Sequence, residues 1–197
     1  MSAYGDPART LTRSGITYAD LALVDDDALA SLVEDLIGQA SDIVDQYCGR
    51  DFANHVDTSE RYDGTGRPRL RLKGWPILSV TSVEVGGAAL TEGTEFEVVA
   101  GSGILERIDG AVWPAGLRNV SVVYSHGYVS PPGAIVSIVE DLVIGALTHA
   151  ARNRAVKGAS SMSMDGYSVA YSELSRLMGL VPEQMQILDR HRVAGAA

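Results

Sequence analysis

The apolar positions of the chain follow a helical period, then a strand period, then a helical period again. Between Asp25 and Cys48, the residues Leu29, Leu32, Val33, Leu36, Ile37, Ala40, Ile43, Val44 and Tyr47 recur at helical spacing. That spacing puts them on one stripe of a long helix. Glu34, Asp35, Asp42 and Asp45 occupy the remaining surface. Asp25, Asp26 and Asp27 open the helix, where carboxylates meet free N–H groups and the positive end of the dipole. Gly49 is a natural stop. A short helix is expected ahead of it, capped by Thr17 and Asp20 and reaching Leu23. Residues 1–15 are polar, carry Gly5, Pro7 and Gly15, and read as a flexible arm.

From Ser59 the period shortens. `SERYDG`, `PRLRLKG`, `SVTSVEV`, `EFEVVA`, `GILERI` and `NVSVVYSHGY` read as about six short strands joined by Gly-rich turns. Arg69 and Arg71 alternate with Leu70 and Leu72, giving one wet and one dry face. After `VSPPG` the helical period returns, with Ile135, Ile138, Val139, Leu142, Val143, Ala146 and Leu147 on a broad apolar face. Pro131 and Pro132 suit a helix start, and Gly145 suggests a point where another helix comes close. The expected organisation is an arm over 1–15, a helical core over 16–58 and 129–157, a β-rich insertion over 59–128, and a C-terminal arm with short helices over 158–197. The fold class is α+β: an antiparallel helical bundle core with an inserted small antiparallel β-sheet or barrel.

Composition adds bounds to this picture. An apolar fraction of 46% over 197 residues supplies a real core, in one domain or in one core with a sizeable insertion. A net charge of −9 argues against a protein that grips nucleic acid by its phosphates, though not against one that lets nucleic acid pass. Cys48 is the one cysteine, so neither an internal disulfide nor a cysteine-cluster metal site is available. The N-terminus has no apolar signal segment. The run `AIVSIVEDLVIGALTHAA` holds Glu140 and Asp141 near its middle, which favours a buried core helix over a membrane span.

Few residues of the chain fall into a pattern that supports chemistry. Of the four histidines, none belongs to an `HExxH` or `HxH` pair. His149 reads as a surface residue near a helix end, and His126, in `YSHGY`, as a turn or interface residue without a nucleophile signature beside it. Cys48, at a helix C-terminus, reads as a small buried hydrophobe. No catalytic, metal or cofactor residues are assigned. Arg61, Arg67, Arg69, Arg71 and Lys73 gather on the strand unit. They form a solvated face, a partner for an acidic face such as that of the Asp42–Asp45 helix in a neighbouring copy, or a contact with nucleic acid. Arg69, Arg71, Trp75, Trp113, Tyr167 and Tyr171 are the interface candidates. The residues alone leave open a small hydrolase or nucleic-acid-processing enzyme using His126, and a non-viral binding module built on the strand unit.

One ordered series of segments is more specific than any of its parts: `YCGRDF`, `ERYDG`, `LRLKGWPILSVTSVEVGG`, `ILERIDGAVWPAG` and `VSVVYSHGYVSPPGAI`. The series resembles the head–tail connector proteins of tailed bacteriophages, also called adaptor or head-completion proteins, over roughly Asp20 to Ala151. `SMDGYSVAYSE` and `VPEQMQILDRHR` resemble the C-terminal arm of many members. The resemblance implies a non-enzymatic virion protein without cofactor or membrane, assembled in the host cytoplasm. It also implies a homo-oligomeric ring, usually of twelve copies, around a DNA channel. In that arrangement the arm reaches toward the portal protein, a stopper or tail-completion protein docks on the other side, and packaged DNA passes without sequence-specific binding.

Overall fold

The computed structural model describes residues 3–157 and 178–192. The chain divides into two units, one of residues 1–52 with 131–197 and one of residues 53–130.

The first unit is helical. Helices α1 (Pro7–Ser14), α2 (Tyr18–Leu21) and α3 (Asp26–Cys48) precede the β unit in sequence; α4 (Gly133–Lys157) and α5 (Pro182–Leu188) follow it. A short 3-10 turn, Asp189–His191, ends the described chain. The capping chemistry matches the sequence. The Asp25 carboxylate accepts the Ala28 N–H at 2.9 Å, and the Asp20 carboxylate accepts from both the N–H and the hydroxyl of Thr17. Gly49 ends α3 in the left-handed region at φ 67°. Helices α3 and α4 pack on each other through the stripes read from periodicity. Val33, Leu36, Ala40 and Val44 on one, and Ile135, Val139, Val143 and Leu147 on the other, have no solvent exposure. Burial of such side chains contributes about 1.5–3 kcal/mol each. The C-terminal helix and turn add Leu188, fully buried, against α3 and α4.

Four expectations for this unit change. Residues 1–15 are not a free arm over their described part. Asp6 caps α1 by accepting the Arg9 N–H at 3.0 Å, Pro7 fits its first turn, and Tyr4 is buried. The segment is held by one tyrosine and by charge, so it leaves no apolar stripe. Ile43 and Tyr47 are only half-buried, and the Tyr47 hydroxyl donates to Asp189 at 2.8 Å. Asp45, expected on the wet face, is half-buried and takes the Tyr4 hydroxyl. Gly145 is exposed, and among the described residues nothing lies within 4 Å of a Cβ built there, so no described helix approaches it.

By length and composition, Gly133–Asn153 of α4 is apolar enough to cross a membrane. In the fold, the Glu140 carboxylate at its middle is fully buried and ion-paired.

The second unit holds seven strands: β1 (Asn54–Gly64), β2 (Arg69–Arg71), β3 (Ile77–Val85), β4 (Ala88–Leu90), β5 (Phe96–Val98), β6 (Ile104–Arg107) and β7 (Gly116–Gly127). They form a four-stranded sheet in the order β1-β7-β3-β4 and a three-stranded sheet in the order β2-β6-β5, and the strand pairs are antiparallel. Neither sheet closes, so the barrel expectation gives way to two open sheets. Their common core comprises Tyr62, Leu70, Leu72, Val83, Phe96, Leu105, Trp113, Val120, Val122 and Tyr124.

Strand β1 begins at Asn54, ahead of the Ser59 read from the sequence. The register shifts between His55 and Thr58, and Asp57 sits at φ 49°. This bulge breaks the alternation that would have marked the strand's first residues. The `DGTGRP` turn does not close a hairpin: β1 pairs with β7, while β2 pairs with β6.

Candidate functional site

One cluster of polar side chains in the β unit sits at the corner before β3. Strands β1 and β7 bring Tyr62 and Tyr124 side by side, with their hydroxyl oxygens 3.0 Å apart. The Tyr124 hydroxyl donates to Glu60 Oε2 at 2.8 Å, and the Tyr62 hydroxyl donates to the same oxygen. Each phenol oxygen then accepts a backbone N–H at 3.0 Å, from Lys73 for Tyr62 and from Gly74 for Tyr124. Burial, and hydrogen bonding to a carboxylate, push both phenols above their usual range and keep them protonated. The arrangement satisfies two backbone donors that would otherwise be costly to bury. It fixes the chain where β2 leads into the cis Trp75–Pro76 peptide.

His126 belongs to this corner. Its ring stacks on His55 with centroids 4.7 Å apart and lies 5.1 Å from the Tyr124 ring. A Cβ on Gly74 would come within 2.4 Å of the His126 ring. The ring therefore packs directly on the Gly74 backbone, and its geometry is that of a packing residue. Nearby Ser125 has its hydroxyl oxygen occupied by the Asp57 N–H at 3.1 Å.

On the three-stranded sheet, Arg69 and Arg71 point outward on either side of buried Leu70, as alternation predicts. With Thr65, Arg67, Pro68 and Glu106 they line an open groove. Arg69 Nε donates to Glu106 Oε1 at 3.0 Å. Trp75 is half-buried at the corner.

Trp113, an interface candidate by sequence, lies in the core instead. Its side chain is fully buried, Nε1 donates to the Pro68 carbonyl at 2.9 Å, and the Arg107 guanidinium lies 5.6 Å from the ring centroid. It is a core residue with no surface to offer a partner. Tyr167 and Tyr171 lie outside the described residues. The sequence therefore brings Arg69 and Arg71 together in one groove and misses the Glu60–Tyr62–Tyr124 cluster. Strand alternation marks both tyrosines as inward, but their pairing across distant strands leaves no local signal.

In the helical unit, Cys48 is buried at the C-terminal end of α3, and burial pushes its thiol up to about 11. It is unreactive there. Among the described residues, no group of three or more His, Cys, Asp or Glu side chains could hold a metal ion.

Comparison with known proteins places this architecture. Curated proteins give no match. One solved structure, the neck of an empty GTA particle computed with C6 symmetry, aligns over 97% of this chain and 92% of its own at 15% identity and a TM-score of 0.48. The family model described as head completion protein matches residues 15–194, which takes in the helices on both sides of the β unit and the β unit itself. The chain belongs to the head completion protein family, as a structural protein of the virion's head–tail interface and not an enzyme.

Proposed function

We propose that the chain is the subunit of a dodecameric adaptor ring between the portal protein and the stopper or tail-completion protein, with packaged DNA passing through the centre. The observation that carries this reading is the extent of the family match. It runs through helices, β unit and C-terminal helix, so the whole architecture is shared and not one module. The charge of −9 supports it, because like charge disfavours condensation of DNA phosphates on a channel wall. The helical unit supports it as well, since its tightly packed α3 and α4 make a stiff building block. Arg69, Arg71 and Trp75 are assigned to subunit or partner contacts. The arm that carries Tyr167 and Tyr171 is assigned to the portal, because tyrosine gives large contact area at low rotamer cost.

Particles produced without this chain test the reading. DNA-filled heads that carry no tail are expected. Heads joined to tails at the usual frequency would overturn it.

A further inference from the structure

The corner of residues 72–77, where β2 gives way to β3, is pinned by β1, by β7 and by the turn ahead of β6. The Leu72 N–H donates to the Gly103 carbonyl at 2.7 Å, the Ile77 N–H donates to the Ser102 carbonyl at 3.3 Å, and the Pro76 carbonyl accepts the Gly127 N–H at 2.9 Å. Between these points the consecutive N–H groups of Lys73 and Gly74 donate to the neighbouring Tyr62 and Tyr124 hydroxyls. Successive N–H groups of a strand point to opposite sides. Here two in a row turn to the same side, so the phenol pair fixes both peptide planes. Two glycines let the neighbours close in. A Cβ on Gly74 would meet the His126 ring at 2.4 Å, and one on Gly103 would lie 2.9 Å from the Trp75 Cβ.

This corner presents Trp75. Its side chain is half-buried, and Lys73 and Leu78 on either side of it in sequence are exposed. A large aromatic on a rigid backbone loses little freedom on binding, and such residues dominate the energy of many protein contacts.

Phenylalanines at 62 and 124 would fill the same space in the core. The hydroxyls instead require a half-buried carboxylate, Glu60, shared between them, and that arrangement costs desolvation. A satisfied buried network returns a single stiff conformation. In this fold the stiffness falls on the two residues that precede Trp75.

We infer that Tyr62 and Tyr124 are positioning residues: through the Lys73 and Gly74 N–H groups they hold Trp75 in the orientation in which it meets a partner in the assembled junction. The inference rests on the assignment of Trp75 to a contact in the adaptor-ring reading, and it names what makes that contact rigid.

The test is complementation of particles lacking the chain with full-length proteins: unaltered, Y62F/Y124F, W75A, these three changes together, and V83A. Val83 is buried in the same core but outside the network. Joined particles are counted by electron microscopy, circular dichroism melting of each purified protein confirms folding, and hydrogen exchange read by mass spectrometry follows residues 72–77. Y62F/Y124F keeps both rings and is expected to speed exchange at Lys73 and Gly74 while β3 and β7 stay protected. It and W75A are each expected to lower joined particles about tenfold. The triple variant is expected to fall no further than W75A, because the phenols act through that side chain. V83A, though less stable, is expected to join normally. Where Y62F/Y124F does not fold, Y62F and Y124F singly carry the same comparison.

Normal joining by folded Y62F/Y124F, or by W75A, would overturn the inference. So would a triple variant whose loss is the product of the two, or a V83A loss as large as that of Y62F/Y124F, since either marks a role in stability alone. Unchanged exchange at Lys73 and Gly74 would contradict it as well. The ring reading stands or falls separately, on whether particles lacking the chain altogether are joined normally.

Discussion

The Tyr4 hydroxyl donates to the Asp45 carboxylate, 2.8 Å from each oxygen, and accepts the Phe52 N–H at 2.8 Å. One phenol thus ties the N-terminal segment to the last turns of α3 and to Phe52, the last residue of the helical unit's first stretch. Burial raises the Asp45 carboxyl from 3.8 to about 6, with the Tyr4 hydrogen bond opposing the shift and the nearby Asp51 and Asp42 charges adding to it. Folding therefore increases the proton affinity of Asp45. Between pH 3.8 and about 6 the folded chain binds more protons at this group than the unfolded chain does. The Asp45 contribution to stability is then most favourable below that window and declines as pH rises through it. Asp45→Asn keeps an acceptor for Tyr4 and removes the charge. Urea unfolding across pH 4 to 8 should show the variant losing this falling component and gaining on the parent chain toward neutral pH. Parallel pH profiles for the two proteins would contradict the assignment.

Glu140 gives a second prediction. Its side chain is fully buried, and Oε2 pairs with Arg13 at 2.6 Å and Arg9 at 3.1 Å, while Oε1 makes no hydrogen bond. Arg13 also reaches Asp141. Either arginine alone still compensates the buried charge, so Arg9→Ala or Arg13→Ala should cost only about 1 kcal/mol. Removing both strands a buried carboxylate and should cost about 3–5 kcal/mol. The double change should therefore exceed the sum of the singles in a double-mutant cycle by denaturant unfolding. Simple additivity would mean that α1 is not held through Glu140.

Two glycines should respond oppositely to alanine. At Gly74 the new methyl would meet the His126 ring at 2.4 Å, and displacing that stack should cost about 1–3 kcal/mol. Gly145 is exposed within α4, with none of the described residues within 4 Å of its Cβ position, so alanine there should stabilise by up to about 1 kcal/mol through helix propensity. Thermal unfolding of the two single variants reads both signs.

The helix faces give a fourth. Leu36 is fully buried and Leu142 nearly so, so either change to alanine should cost about 2–5 kcal/mol. Glu34→Ala, on the exposed face, should stay within about 0.5 kcal/mol in the isolated chain. Equal losses at Leu36 and Glu34 would contradict the packing.

These contrasts mark what the sequence made legible. The α3 and α4 stripes and the Asp25 and Thr17–Asp20 caps follow from spacing of a few residues, which a helix repeats along its length. The wet and dry faces around Leu70 follow from strand alternation in the same way. What stayed hidden depends on partners distant in the chain. Arg13 meets Glu140 across 127 positions, Tyr62 meets Tyr124 across 62, and Tyr4 meets Asp45 across 41. A charged or half-polar residue carries no periodic signal for such a partner, so the docked N-terminal helix read as a free arm and Asp45 as a wet residue. Trp113 misled for a related reason. It sits in the glycine- and proline-rich stretch `DGAVWPAG`, which suggests exposure, yet its ring fills the core between the two sheets.

In the proposed function this chain is a ring subunit at the head–tail junction. Electron microscopy of intact particles, at a resolution that traces the chain, tests it most directly. A closed ring of twelve copies between portal and tail, with DNA passing through its centre, is the expected result. Finding the chain elsewhere in the particle, or as single copies with no closed ring at the junction, would contradict it.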